Sequence, residues 1–258
     1  MSPVLAWGIE LIAAVQRWRT PFLDGLCAFF TALGEEYFLL LLLPLVYWCV
    51  DRRLGARVAV FYLCSQWVNT SLKDLLRQPR PYDLRPELGL LSVPGYGLPS
   101  GHAQTAAVVW GTLAAGLGGR PAWIGAGALV FLVGFSRIYF GVHFPTDVLA
   151  GWAIGAVLLA AFLSLARLFA ERPLRLSAAA KAALAAVGPL LLVPLHPVAD
   201  TVAALGALSG AGAGAILAGR YAPFAGGGPL DRRVRRFLVG ALGAGVFYFG
   251  LRLVFPAE

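Results

Sequence analysis

Charge is scarce in this chain. Of 258 residues, 21 are Lys or Arg and 13 are Asp or Glu, so 13% are charged against 59% hydrophobic, and the mean hydropathy is +0.75. A soluble domain carries roughly twice that share of charge. A water-facing surface all round is therefore excluded, and an integral membrane protein is expected. Cysteine is limited to Cys27, Cys49 and Cys64, an odd number in or beside apolar segments, which argues against a disulfide framework. Neither a His-Glu-x-x-His pattern nor a cysteine cluster with metal-ligand spacing is present. The cationic excess, formally +8, falls in short clusters between apolar runs and not along one face, which argues against nucleic acid as a partner and for membrane topology. The segment from Met1 to Gln16 lacks a basic start and contains Glu10, so no cleavable signal peptide is expected.

What the chain does have is a succession of apolar runs. Residues 3–19 and 21–34 are interrupted by Glu10, Arg17, Arg19 and Asp24 and fall short of the roughly 20 residues a span needs. They are expected as helices lying in the interface, with a short hairpin dipping into the membrane as the alternative. Spans are then expected near 36–50, 54–72, 101–117, 122–135, 147–169, 178–195, 198–218 and 237–255. The fold class that follows is all-α, a polytopic helical bundle of about eight spans plus the N-terminal interfacial helices. The chain divides into residues 1–35, a core at 36–170, and three additional helices within 171–258.

Between these runs, the proline-rich stretch 78–99 reads as a long irregular loop. Its apolar residues Leu88, Leu90, Leu91 and Val93 suit a membrane surface, an acyl chain or the protein's own helices equally. Gly151 with Gly155, and Gly206 with Gly210 and Gly214, place small residues at four-residue spacing where helices could approach closely. If the loop at Arg52 and Arg53 is cytoplasmic, alternation brings Arg120, Arg167, Arg172, Arg175 and the Arg232–Arg236 cluster to the same side. The opposite side keeps mainly Lys73, Arg77, Arg80, Arg85 and Arg137, so those polar groups share an extracytoplasmic face.

Three polar groups stand at the ends of apolar runs, where charge is costly unless it has a function. The first is Lys73 with Arg80-Pro81, the second Pro99-Ser100-Gly101-His102, and the third Ser136-Arg137 with His143 and Asp147. Lys73 and Arg80 lie seven positions apart, on one helical face, and the helix must yield near Pro79. Ser100 and Gly101 open a helix whose free amides suit a phosphate. Asp147, four residues after His143, can reach back to its ring, fix the tautomer and leave the other nitrogen as a nucleophile. Asp74 and Gln104 sit beside motif residues, and His196 and Asp200 read as loop residues on the same predicted side.

Together these three groups, complete and in order, resemble the type 2 phosphatidic acid phosphatase family, specifically between Lys73 and Trp152. The resemblance implies that His143 is a nucleophile forming a phosphohistidine and that Asp147 orients it. It further implies that His102 protonates the leaving oxygen and then activates water, while Lys73, Arg80, Ser100, Gly101 and Arg137 hold the phosphate. It implies no cofactor and no metal, because cations already supply the charge a metal ion would bring. The expected function is a membrane phosphatase acting on a lipid phosphate or diphosphate, its partners being that substrate and the bilayer. A sugar phosphatase of glucose-6-phosphatase type is the alternative, and a membrane transporter is the alternative of another class.

Overall fold

The computed structural model describes residues 2–254 and is all-helical, with no strand among the described residues. The helices are α1 (Pro3–Gln16), α2 (Pro21–Ala32), α3 (Glu36–Leu45), α4 (Arg52–Leu76), the single turn α5 (Pro81–Leu84), α6 (Gly101–Leu117), α7 (Arg120–Tyr139), α8 (Pro145–Glu171), α9 (Ala178–Val187), α10 (Ala199–Tyr221) and α11 (Leu230–Val254). A wider π-type turn, Val46–Val50, continues α3, and 3-10 turns over Pro189–Leu195 continue α9. Prolines open α1, α2, α7 and α8, where a missing N–H costs nothing. Ser2, Thr20, Asp51, Ser100 and Ser177 cap their helices by accepting from a backbone N–H three residues on.

The centre of the bundle is α6, which packs against α4, α7 and α8. Its sequence is rich in Ala, Gly and Thr, and nearly all its first 14 residues are buried, so neighbouring backbones come close. Gly151 and Gly155 on α8 face it directly: a Cβ on Gly151 would lie 2.6 Å from the Ser100 carbonyl, and one on Gly155 would lie 2.7 Å from the Ala107 Cβ. The other glycine series behaves differently. Around Gly206, Gly210 and Gly214 a Cβ would meet nothing within 4 Å, so this ridge does not seal a helix contact within the chain. A second apolar cluster joins α3, α4 and α6 through Leu39, Val46, Val58, Tyr62 and Val109.

Among the described residues, four helices are long and apolar enough to cross a membrane: α7, α8, α9 with its continuation to Leu195, and α10. The pair α2 and α3, bent by 54° at the break between them, passes together as one broken span or re-entrant loop. This is four or five by length and composition, against about eight expected. Two of the differences have a plain cause, since α6 has only 17 residues and the middle of α4 carries Arg57 and the polar residues Ser65, Gln66, Asn69, Thr70 and Ser71. Helix α11 begins at Leu230, ahead of the apolar run expected from 237, and Phe255 at the end of that run lies outside the described residues.

The N-terminal helices pack onto the rest of the bundle. Ile9 and Ile12 of α1 are buried against Leu88 and Phe144, and Cys27 of α2 against Tyr139, Phe140 and Val142. The stretch 78–99 contains α5 and a 3-10 turn at Pro86–Leu88 and is folded inward. Leu88 is buried and Leu90 and Val93 pack on the Tyr139–Val142 cluster, while Leu91 stays exposed. Of the three settings open to this loop's apolar residues, its own helices take most of them.

Candidate active site

Helix α4 stops at Leu76 with Arg77 in the left-handed region, and Gln78, restrained by Pro79, leaves the helix. Lys73 and Arg80 are thus brought together by this exit and not by a continuous helical face. The Lys73 Nζ donates to the backbone carbonyls of Tyr96, at 2.6 Å, and Gly97, at 3.4 Å. Arg80 is buried, its guanidinium fixed by the carbonyls of Gly95, Pro94 and Val142 at 2.8–2.9 Å. Its Nη1 also lies 3.3 Å from His143 Nε2.

That last contact determines the histidine's state. A guanidinium has donors only, so Nε2 must present its lone pair, which leaves the ring hydrogen on Nδ1. There it faces Asp147 Oδ2 at 3.3 Å. The same carboxylate oxygen accepts from the Phe144 N–H at 2.9 Å, and Oδ1 accepts from the Gln78 side-chain amide at 2.6 Å. Burial, with Lys73, Arg137 and Arg80 nearby, holds His143 well below the ordinary imidazole range. The ring is neutral, oriented, and carries its free electron pair toward the cavity side of Arg80.

The turn that delivers His143 depends on Gly141, whose φ is +65°. A side chain there would collide with the Leu88 carbonyl. Gln16 of α1 holds this crossing together by donating to the Leu88 and Tyr139 carbonyls, both at 2.9 Å.

Ser100 and Gly101 open α6 as expected. The Ser100 N–H donates to the Asp147 carbonyl at 2.9 Å, tying the α6 start to the α8 start. Behind it Gln104 is fully buried, bonded to Asn69 at 2.9 Å and to Ser65 through its carbonyl and hydroxyl at 2.9 and 2.8 Å. This network fixes α6 against α4 below the motif. His102 turns its Nε2 to Glu35 Oε1 at 3.1 Å. Arg137 is 1% exposed; one nitrogen donates to the Thr31 hydroxyl and lies 4.0 Å from Glu35. Its Nε and Nη2 have no partner among the described residues. Buried donors of this kind are normally satisfied, and these two are available to an anion.

All of this meets in one cavity of about 540 Å³, lined among others by Lys73, Arg80, Gly101, His102, Arg137 and His143. The three sequence motifs therefore converge, with Asp147 just behind His143 and Ser100 behind Gly101. Four contributors escaped the sequence reading: Gln78, which holds Asp147, and Thr31, Gly34 and Glu35 from the α2–α3 connection. Gly34 lets the chain pass against His102, since a Cβ there would come within 2.7 Å of the ring. Gln78 lies within the first motif's interval but is not one of its defining residues, the other three stand in no motif, and an acid between two apolar helices, Glu35, was the available signal. His196 and Asp200, read as loop residues, also arrive here: His196 Nε2 is 2.9 Å from Asp74 Oδ2, and Asp200 lines the cavity.

The fold and site define a helical membrane protein with a buried cationic cavity built around an oriented histidine. The chain belongs to the PAP2 superfamily: residues 54–170 match the model of that superfamily, and residues 202–258 match that of the PAP2 superfamily phosphatase, transmembrane extension. It is 36% identical to sphingosine-1-phosphate phosphatase 2 of Mus musculus over 51% of this chain, but spans only 39% of that relative's length. It is 31% identical to phosphatidylglycerophosphatase B of Bacillus subtilis, over 54% of this chain and 73% of that one. The crystal structure of the first transmembrane PAP2 type phosphatidylglycerolphosphate phosphatase from Bacillus subtilis superposes with a TM-score of 0.55 at 27% identity, over 69% of this chain and 90% of that one.

Proposed function

We propose that this protein is an integral membrane phosphatase that hydrolyses a lipid phosphate or diphosphate through a phosphohistidine on His143. The observation that carries the reading is the pair of contacts on that ring, Arg80 on Nε2 and Asp147 on Nδ1, which leaves a neutral nucleophile with one defined lone pair. Substrate phosphate displaces Arg80 Nη1 from that lone pair and takes its donors, together with those of Arg137, Lys73 and the α6 amides at Gly101. Nε2 then attacks phosphorus while the bond to the leaving oxygen breaks, and charge on the equatorial oxygens is stabilised by these fixed cations. As the N–P bond forms the imidazole becomes cationic, and the Asp147 carboxylate stabilises it. His102, whose Nε2 lies 3.1 Å from Glu35 Oε1, gives the leaving oxygen its proton. Neutral His102 then takes a proton from water as it attacks the phosphohistidine, releasing phosphate and restoring His143.

The site sits at one end of the bundle. Helix α8 begins beside it at Pro145 and runs 27 residues to Glu171, about 40 Å at 1.5 Å per residue. That is the thickness of a bilayer with its interfaces, so the cavity lies near one membrane surface. The charge distribution favours the extracytoplasmic surface, in a bundle of about eight spans when α4, α6 and α11, buried or apolar over much of their length, are counted with the rest. The test is phosphate release from the purified protein in detergent, with acid-labile, base-stable label on the protein after quenching with a phosphorus-labelled substrate. Turnover without a label on His143, or a label that survives in His143→Ala, overturns the mechanism.

A further inference from the structure

One wall of the cavity comes from a corner that no motif predicts. Between α9 and α10 the chain turns at His196, and Val198, Ala199 and Asp200 beyond it line the cavity with Lys73, Arg80 and Arg137. The corner is tied down at two points. His196 Nε2 meets Asp74 Oδ2 at 2.9 Å and His196 Nδ1 meets the Thr201 hydroxyl at 2.7 Å, and Thr201 is fully buried. Asp74 follows Lys73 directly, so the latch closes on the same turn of α4 that supplies a phosphate-binding cation. The corner also lies in the interval between the two matched regions, 54–170 and 202–258.

The chemistry of this wall opposes that of the floor. Lys73, Arg80 and Arg137 make the floor cationic, and two buried donors of Arg137, Nε and Nη2, have no partner among the described residues. Asp74 and Asp200 make the wall acidic. Asp74 is spent on His196, whereas the Asp200 carboxylate is exposed and forms no salt bridge among the described residues. A phosphoryl group on the floor is held whatever it is attached to. Asp200 lines the same cavity as those three cations, so a second anionic group that extends from the phosphoryl group toward Asp200 meets a carboxylate without a salt bridge and not a cation. At an exposed carboxylate such like-charge contact discriminates by up to about tenfold.

We infer that Asp200, held at the cavity wall by the His196–Asp74 latch, is a specificity-determining residue that selects phosphate monoesters against substrates carrying a second, adjacent phosphate. This deepens the phosphatase reading and rests on it. The competing role for Asp200 is local, an acid in the first turn of α10 favouring the helix dipole. Such a role alters stability and leaves the ratio between two substrates unchanged.

The test uses the full chain in detergent micelles with farnesyl monophosphate and farnesyl diphosphate, which share one tail and differ by one phosphate. Asp200→Asn is expected to raise kcat/KM for the diphosphate relative to the monophosphate by about tenfold, chiefly through KM, and Asp200→Lys by more. Both gains are expected to shrink as salt is raised. His196→Ala, which frees the corner, is expected to move the ratio the same way by a smaller factor, with His196→Gln partly restoring selection. An unchanged ratio in Asp200→Asn and Asp200→Lys, with phosphate release intact, overturns the inference and leaves the phosphatase reading standing. No release from either substrate by the unmodified protein overturns both.

Discussion

At the scale of single residues, the site works by fixing protons. His143→Ala removes the proposed nucleophile and is expected to lower kcat by about 10⁴ or more with the fold kept, read from phosphate release and from the unchanged elution of the detergent-solubilised protein. Gln78 is a sharper probe, because it touches no substrate and acts through Asp147. Gln78→Leu removes the 2.6 Å donor to Oδ1 and leaves the carboxylate free to turn from the ring. A fall in kcat of about 10- to 100-fold with little change in KM is expected, by analogy with the loss of other orienting partners. Equal effects on both parameters would make Gln78 merely structural. The depressed basicity of His143 has a definite sign. In the unfolded chain the ring takes a proton as pH falls through about 6.5; in the folded protein it does not. Acid therefore favours the unfolded state, and this contribution to stability is lost below about pH 6.5. The melting temperature should fall between about pH 7.5 and 5.5, and fall less steeply in His143→Asn. A steeper fall in the variant would show that the folded ring is already protonated. The motif residues were legible in the sequence because each carries its partner at fixed spacing, as His143 does with Asp147. Gln78 and Glu35 were not, because their partners lie 69 and 67 residues away.

At the scale of elements, the cavity depends on two helix starts held together, that of α6 at Ser100 and that of α8 at Pro145. The Ser100 N–H to Asp147 carbonyl bond joins them, and Gly151 and Gly155 allow the approach. Gly151→Ala puts a methyl 2.6 Å from the Ser100 carbonyl, a backbone atom that cannot move aside alone. Overpacking of this kind costs about 1–3 kcal/mol, and it also shifts Ser100 relative to Asp147. Activity should fall with stability in this variant, while Gly210→Ala, facing open space, should leave both within error. If the two variants behave alike, the α6–α8 seam does not set the site. Both glycine series carry the same small-residue spacing in sequence, and only one is used within the chain. Spacing alone states that a close approach is possible, and the partner helix decides whether it occurs. The helix starts were legible for a related reason, since Pro and Ser punctuate α2, α6 and α8 locally. The inward folding of 78–99 was not, because the residues that cover Leu88 come from α1, more than 70 positions earlier.

At the scale of the whole molecule, the cavity's position near one end of α8 sets how a substrate reaches it. The loop over the site uses Leu88, Leu90 and Val93 internally, so the tail of the proposed lipid substrate must find apolar surface elsewhere. Exposed apolar side chains follow two cavity-lining residues along the chain: Tyr37 and Leu40 come after Glu36 on α3, and Leu75 and Leu76 after Asp74 on α4. A tail lying along either stays in lipid while its head group enters between the helices. Each methylene buried there contributes about 0.8 kcal/mol, so kcat/KM should climb roughly three- to fourfold per methylene at first and level off once the apolar strip is covered. Leu40→Ser and Leu75→Ser should flatten that climb without altering turnover of a short-chain phosphate. Sidedness follows from the same placement. In a chain with Cys27, Cys49 and Cys64 replaced by alanine, Leu91→Cys reports the site's end of the bundle and Leu174→Cys the far end of α8, both positions being exposed. An impermeant thiol reagent applied to intact cells should label the first and spare the second. The reverse labelling would put the cavity on the cytoplasmic face, and efficiency independent of tail length with faster hydrolysis of glucose 6-phosphate would replace the lipid by a sugar phosphate.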